Sequence, residues 1–275
     1  MKKVRSMLSY KQTNQKYTST GVYIKLAIIG TTMTLRSLFG SLLSLCITQA
    51  AVAETHTTTK CKQFGHPEFQ VQVTSTAIPP VDIAWFLNGL EERVAAGERF
   101  KSGETMQVGW MLTKLQAASN GALKIMEPDM KSVPIKFVDS IDSTVKQLRS
   151  QKDTVESFTP PQSLSFPAVQ QSVVVHRNYK TTQQFLFSRF DQKELDSGWW
   201  LSDLNDDKGS QDPKNFANIS LYQLAIDRPD LIKFLALPPG VQVVVDGGLI
   251  GVLKEGNELP QVPGSFISEL NRTRK

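Results

Sequence analysis

Apolar residues alternate with polar ones, at a period of two, over Phe69 to Val73, whereas Val241 to Val245 and Leu249 to Leu253 are almost wholly apolar runs of strand length. Alternate side chains of a strand point to opposite faces, so the alternating run predicts a half-buried strand, and the two apolar runs predict strands as well. Asp246-Gly247-Gly248 between the last two predicts a closing hairpin. Thr105 to Leu115 reads as a strand, Asn120-Gly121 as a tight turn and Ala122 to Met126 as its hairpin partner, with a short strand at Pro134 to Val138. Gln171 to His176 predicts a buried strand, Gln184 to Phe190 another and Gly198 to Leu201 a third. Elsewhere the spacing becomes helical. Asp82 is placed to cap a helix carrying Ile83, Phe86, Leu87, Leu90 and Val94, which Gly97 closes. Asp139 or Ser140 caps a second whose Ile141, Val145, Leu148 and Val155 face inward, while Lys146, Arg149, Lys152, Asp153 and Glu156 stay in water. Ser220 caps a short helix, and Pro229 opens another with Leu231, Ile232, Phe234 and Leu235, ended by Pro238-Pro239-Gly240.

Antiparallel hairpins mixed with few helices predict an α+β fold of two small units rather than a doubly wound parallel sheet. The prolines between Phe158 and Pro167 interrupt regular structure and mark a linker at residues 159–169. The expected order is a leader (1–53), a tether rich in Thr, Gln and Pro ending in an edge strand (54–80), a first unit (81–158), the linker, a second unit (170–255) and a mobile tail (256–275).

The charge balance changes once the leader is set apart. The whole chain carries a formal +5, but Lys2, Lys3, Arg5, Lys11, Lys16, Lys25 and Arg36 all fall before residue 54 and no acidic residue does. The rest has 24 basic against 26 acidic groups, a net charge of −2. It lacks the basic excess that phosphate-backbone binding needs, which argues against nucleic acid as a partner. From Met33 the chain has the anatomy of a secretory signal, with Arg36, an apolar stretch and a small-x-small site at Ala51-Val52-Ala53. This predicts a periplasmic or secreted protein starting at Glu54, with Met33 the favoured start. The 17 residues from Ser37 to Ala53 are short and polar for a membrane span, though an uncleaved N-terminal anchor is the alternative. Leu45 before Cys46 does not suit lipidation, and loss of Cys46 with the leader would leave Cys61 as a single thiol.

Catalytic signatures are sparse. His56 and His66 fall in the expected tether, and His176 ends a strand with no revealing neighbour. No His/Cys cluster suggests zinc, and no phosphate-cradling loop or dinucleotide fingerprint occurs, so no cofactor is expected. Carboxylate pairs such as Glu91/Glu92, Glu194/Asp196 and Asp206/Asp207 leave a periplasmic hydrolase as an alternative, and an envelope scaffold using the charged helix after Asp139 as another.

The densest feature is Asp196-Ser197-Gly198-Trp199-Trp200-Leu201-Ser202-Asp203, followed by Asn205-Asp206-Asp207 and by Asn218-Ile219-Ser220-Leu221-Tyr222. Alternation sends neighbouring indoles to opposite faces, so one of Trp199 and Trp200 is expected near the surface. In motif and order, residues 170–247 resemble the immunity protein 33 type domain, a bacterial family of toxin-neutralising immunity proteins. The likeness runs through the strand Val173 to Val175, the acidic approach Asp191 to Asp196, the Asp-Ser-Gly-Trp segment, the acidic loop Asp203 to Pro213, Asn218 to Tyr222, the proline-led helix Pro229 to Leu235 and the exit Pro238 to Gly240. Trp200 stands where a basic or smaller residue is expected, and Leu204-Asn205 replaces a glycine-bearing acidic turn. Trp85-Phe86-Leu87 and Gln107 to Met111 look like an accompanying region of the same kind of protein. The resemblance implies a non-enzymatic protein that binds a protein toxin. Asp196, Trp199, Trp200, Asp203, Asp206, Asp207, Asn218 and Tyr222 are the expected contact residues, with aromatic anchors inside a ring of carboxylates.

Overall fold

The computed structural model describes residues 53–206 and 208–274. The expected leader and its Met33 start lie outside the described residues, apart from Ala53.

The α+β expectation holds, with two mixed sheets. The first contains β1 (Glu54–Thr57), β2 (Phe69–Val73), β3 (Thr105–Val108), β4 (Met111–Ala117), β5 (Leu123–Pro128) and β6 (Phe137–Val138). Its order is β1-β2-β5-β4-β3, with β6 also paired to β5. Only β2 and β5 run parallel among these pairs. The stretch expected as one strand from Thr105 to Leu115 is a hairpin. Gly109 has φ of +58°, which an L side chain rarely adopts, and the chain reverses there while Trp110 drops into the core.

Residues 54–80, expected as a tether, are folded. β1 pairs outside β2, so β2 is an interior strand rather than an edge. The intervening segment is held by Glu68, whose carboxylate accepts from Thr58 Oγ1 at 2.5 Å and from the N–H groups of Lys62 and Cys61 at 3.0 and 3.2 Å. Composition alone suggested a polar tether because the groups that satisfy Glu68 are local backbone donors, which residue type does not reveal. Burial alone would raise the Glu68 carboxyl, but these hydrogen bonds outweigh it and hold the group below its ordinary value. Its contribution to stability is therefore full above the unfolded value near 4.5 and is lost as pH falls through the lower folded value. In urea titrations from pH 7 to pH 3, Glu68→Gln is expected to lower stability at pH 7 and to shrink the loss on acidification. An unchanged acid limb in the variant would contradict this assignment.

Helix α1 (Pro80–Ala95) starts earlier than expected, with Pro80 in its first turn; Asp82 lies inside that turn and pairs with Arg149 at 2.7 Å instead of capping. Helix α2 (Asp142–Val155) is capped from across the sheet. The buried Glu127 of β5 accepts from Ser143 N at 3.1 Å and Thr144 N at 2.7 Å, satisfying the first free amides of the helix. Ser140 assists by accepting from Asp142 N at 3.0 Å.

The second sheet holds β7 (Ser172–His176), β8 (Phe185–Arg189), β9 (Asp196–Asp203), β10 (Phe216–Ser220), β11 (Val241–Asp246), β12 (Leu249–Lys254) and β13 (Asn257–Glu258), in the order β10-β7-β9-β8-β11-β12-β13. β7 and β9 are parallel, and all other neighbours are antiparallel. Helix α3 (Leu221–Asp227), the 3-10 turn Pro229–Phe234 and helix α4 (Phe266–Arg272) complete the second layer. The Ser220 cap is present, accepting from Gln223 N at 3.1 Å.

Each sheet has a core. Phe69, Val71, Leu115 and Ile125 are buried in the first, and Val173, Phe187, Trp199, Leu201 and Val243 in the second. Helix α2 serves both: Val145 and Leu148 pack in the first core, while Val155 joins the second and Gln151 Nε2 donates to Ile232 O at 3.0 Å. The tail expected to be mobile is docked. Ile267 is fully buried, and the Asn271 side chain accepts from Ile250 N and donates to Ile250 O, each at 2.8 Å. Its Phe266-Ile267-x-x-Leu270 spacing is a helical signal spanning less than two turns.

Candidate partner-binding site

Strand β9 separates the two indoles as alternation requires. Trp199 points inward, 1 % exposed, stacked on Phe187 with centroids 4.1 Å apart. The Arg189 guanidinium lies 5.2 Å from the same indole and donates to Leu235 O at 2.6 Å. Burial pulls the Arg189 pKa down to about 10. Trp200 faces the other side, half-buried, next to Phe216 of β10 at 4.8 Å. By register it shares that face with Val174 and Ser188, and Asn218, opposite Val174, stands exposed there.

The carboxylates do not form the expected ring. Asp196 and Asp203 begin and end β9, about 23 Å apart at a rise of about 3.3 Å per residue. Asp203 is buried and spent inside the fold, accepting from Thr182 Oγ1 and Asn205 N at 2.9 Å and from Asn178 Nδ2 at 3.2 Å. Asp206 accepts from Gly209 N at 2.8 Å, and its Oδ2 sits 3.5 Å from His176 Nε2 and 3.6 Å from Arg177. His176 is sealed beneath this loop against Phe216. Asp207 lies outside the described residues. Tyr222 is buried as well, with its hydroxyl 2.9 Å from Asp129 O and 2.8 Å from Ser132 O. Of the eight expected contact residues, Trp199, Asp203 and Tyr222 therefore belong to the interior, whereas Trp200, Asn218 and Asp196 reach solvent and Asp206 does so in part. Tyr222 sits on the core-facing side of α3, so the motif that carries it marks the fold rather than a contact.

The turn between β8 and β9 is where apolar and acidic groups meet at the surface. Phe190 is 58 % and Leu195 77 % exposed, and Asp191, Glu194 and Asp196 flank them. The turn is well fastened: Phe190 N donates to Gly198 O at 2.8 Å, Ser172 N to Leu195 O at 2.7 Å and Gln171 Nε2 to Glu194 O at 2.7 Å. Gly198, with φ of +77°, is required here, since a Cβ would lie 2.2 Å from Phe190 O. Sequence reading took Asp191 to Asp196 as an acidic approach and Phe190 as the end of a strand, and missed the pair that Phe190 makes with Leu195; two apolar residues bracketing a polar run of four was the available signal.

A family model for the Imm33-like domain matches residues 150–255. Residues 150–255 form an Imm33-like domain. The match starts at Ser150 on α2, where that helix turns from the first core toward the second, and ends just past β12, so it takes in strands β7 to β12 of the second sheet and leaves out β13. It is longer at both ends than the likeness read from motifs. No curated protein and no solved structure matches the chain. An Imm33-like domain points to an immunity protein, usually non-enzymatic, and implies a toxin as partner. Of the acids considered for hydrolysis, Glu91 lies on α1, outside the Imm33-like domain, and is structural, accepting from Thr59 N at 2.8 Å and Lys60 N at 3.1 Å. Among the described residues no helix is long and apolar enough to cross a membrane.

Proposed function

We propose that this chain is an exported immunity protein that neutralises a protein toxin by binding it, without catalysis. The observation that carries the reading is the β8–β9 turn of the Imm33-like domain: two apolar side chains largely in water, three carboxylates around them, and a backbone pinned by hydrogen bonds. A soluble surface ordinarily keeps such apolar groups scattered, and a rigid turn gives up little entropy on docking. Trp200 and Asn218 extend the contact along the open face of the sheet. The carboxylates favour a basic toxin surface and would speed encounter by attraction at long range. The signal-like segment before Glu54 supports export.

The test is neutralisation. Candidate toxins taken from the reading frames adjacent to this one are expressed with it and directed to the compartment where they act. Co-expressed full chain is expected to restore growth, and a purified preparation to bind the toxin with one-to-one stoichiometry. Soluble, folded chain that gives neither protection nor binding would contradict the proposal.

A further inference from the structure

At the other end of the Imm33-like domain, a recess of about 280 Å³ opens between the β11–β12 hairpin, the turn Pro229–Phe234 and the C-terminal residues after α4. Arg228, Lys233 and Arg274 line it, with Asp230 as the single carboxylate among the described residues and Phe185 and Phe234 among its apolar walls. Asp230 is already committed: it takes Arg228 Nε and Nη2 in a two-point fork, each at 2.8 Å. The remaining Arg228 donor group, Nη1, is spent on Tyr179 O at 2.6 Å and Thr182 O at 3.0 Å. Four of its five N–H donors are thus used, so Arg228 supplies mainly fixed charge.

Lys233 and Arg274 differ. Lys233 Nζ donates to Asp230 O, and Arg274 Nη1 to Gly248 O at 2.9 Å. An ammonium has three N–H donors and a guanidinium five, so both keep donors to spare. Two cations that pair with no carboxylate among the described residues line one recess beside the buried Phe185 and Phe234, Lys233 partly buried and Arg274 at the solvent-exposed rim. We infer that this recess binds a small oxyanion, a sulfate, phosphate or phosphomonoester group, held between Lys233 and Arg274. Burial lowers the Lys233 pKa to about 8, Asp230 opposes that shift, and Arg274 and Arg228 reinforce it. An anion would relieve the repulsion. The site stands apart from the β8–β9 turn, so its occupancy does not depend on toxin binding.

Calorimetric titration of the purified protein with sodium sulfate, against chloride at matched ionic strength, reads the site directly. Sulfate does not titrate between pH 7 and 9, so a change of affinity over that range reports the protein. One saturable site is expected at pH 7, weakened at least about tenfold in Lys233→Met and in Arg274→Met. Affinity is expected to fall from pH 7 to pH 9 as Lys233 loses its proton, and Lys233→Arg to keep binding while flattening that fall. A parallel sedimentation with phosphatidic acid vesicles, whose headgroup is a phosphomonoester, separates the sources: association lost in Lys233→Met assigns a lipid headgroup, and sulfate binding without association assigns a soluble ligand. No saturable sulfate heat from folded wild type, or equal affinity in Lys233→Met, overturns the inference.

Discussion

Trp199→Ala is expected to lower the free energy of unfolding by about 3–5 kcal/mol, the range for truncating a large aromatic in a core. The adjacent Trp200→Ala is expected to cost less, losing the pairing with Phe216, about 0.5–1.5 kcal/mol, and the burial of a partly covered rather than a sealed ring. Trp199 is sealed, stacked on Phe187 and covers one face of the Arg189 guanidinium. Arg189 Nε and Nη2 find no hydrogen-bond partner among the described residues, so the indole and Leu235 O are what compensate its buried charge. Losing the ring leaves a cavity beside that charge. Trp200 packs against Phe216 on an open face, where water can replace it. Urea denaturation of the two variants under identical conditions measures both. Equal losses would mean that β9 does not present its two sides as described.

The residues that revealed the fold are those whose burial follows a local period. The alternation at Phe69 to Val73 emerged as β2, the apolar runs on either side of Asp246-Gly247-Gly248 as β11 and β12, and the 3.6-residue spacing gave α1 and α2. What stayed hidden depends on distant partners. β10 shows no clean alternation, since it is an edge strand built on β7, and Glu68 and Glu127 look like ordinary surface acids until the backbone amides they accept from are in place. Alternation placed one indole of the pair in and one out, and nothing in the spacing said which. The acid ring failed for a similar reason. Carboxylates close in sequence were separated by an eight-residue strand, and two of them, Asp203 and Asp206, were taken up by their own loop.

The double variant Phe190→Ser/Leu195→Ser is expected to weaken toxin binding by about a hundredfold or more, since truncating central apolar anchors of an interface commonly costs about 2 kcal/mol or more each. Its stability should stay within about 0.5 kcal/mol of wild type, because both side chains stand in water and the turn is held by backbone bonds they do not make. Asp191→Asn and Glu194→Gln should act differently, slowing association mainly at low salt. Asp203→Asn, inside the fold, should leave the contact surface as it is. The most direct measurement is the equilibrium dissociation constant of the toxin complex for wild type and for Phe190→Ser/Leu195→Ser, each shown folded by its urea transition. Loss of binding with retained stability is the expected result; an unchanged dissociation constant in the folded variant would contradict the assignment of the β8–β9 turn as the surface that meets the toxin.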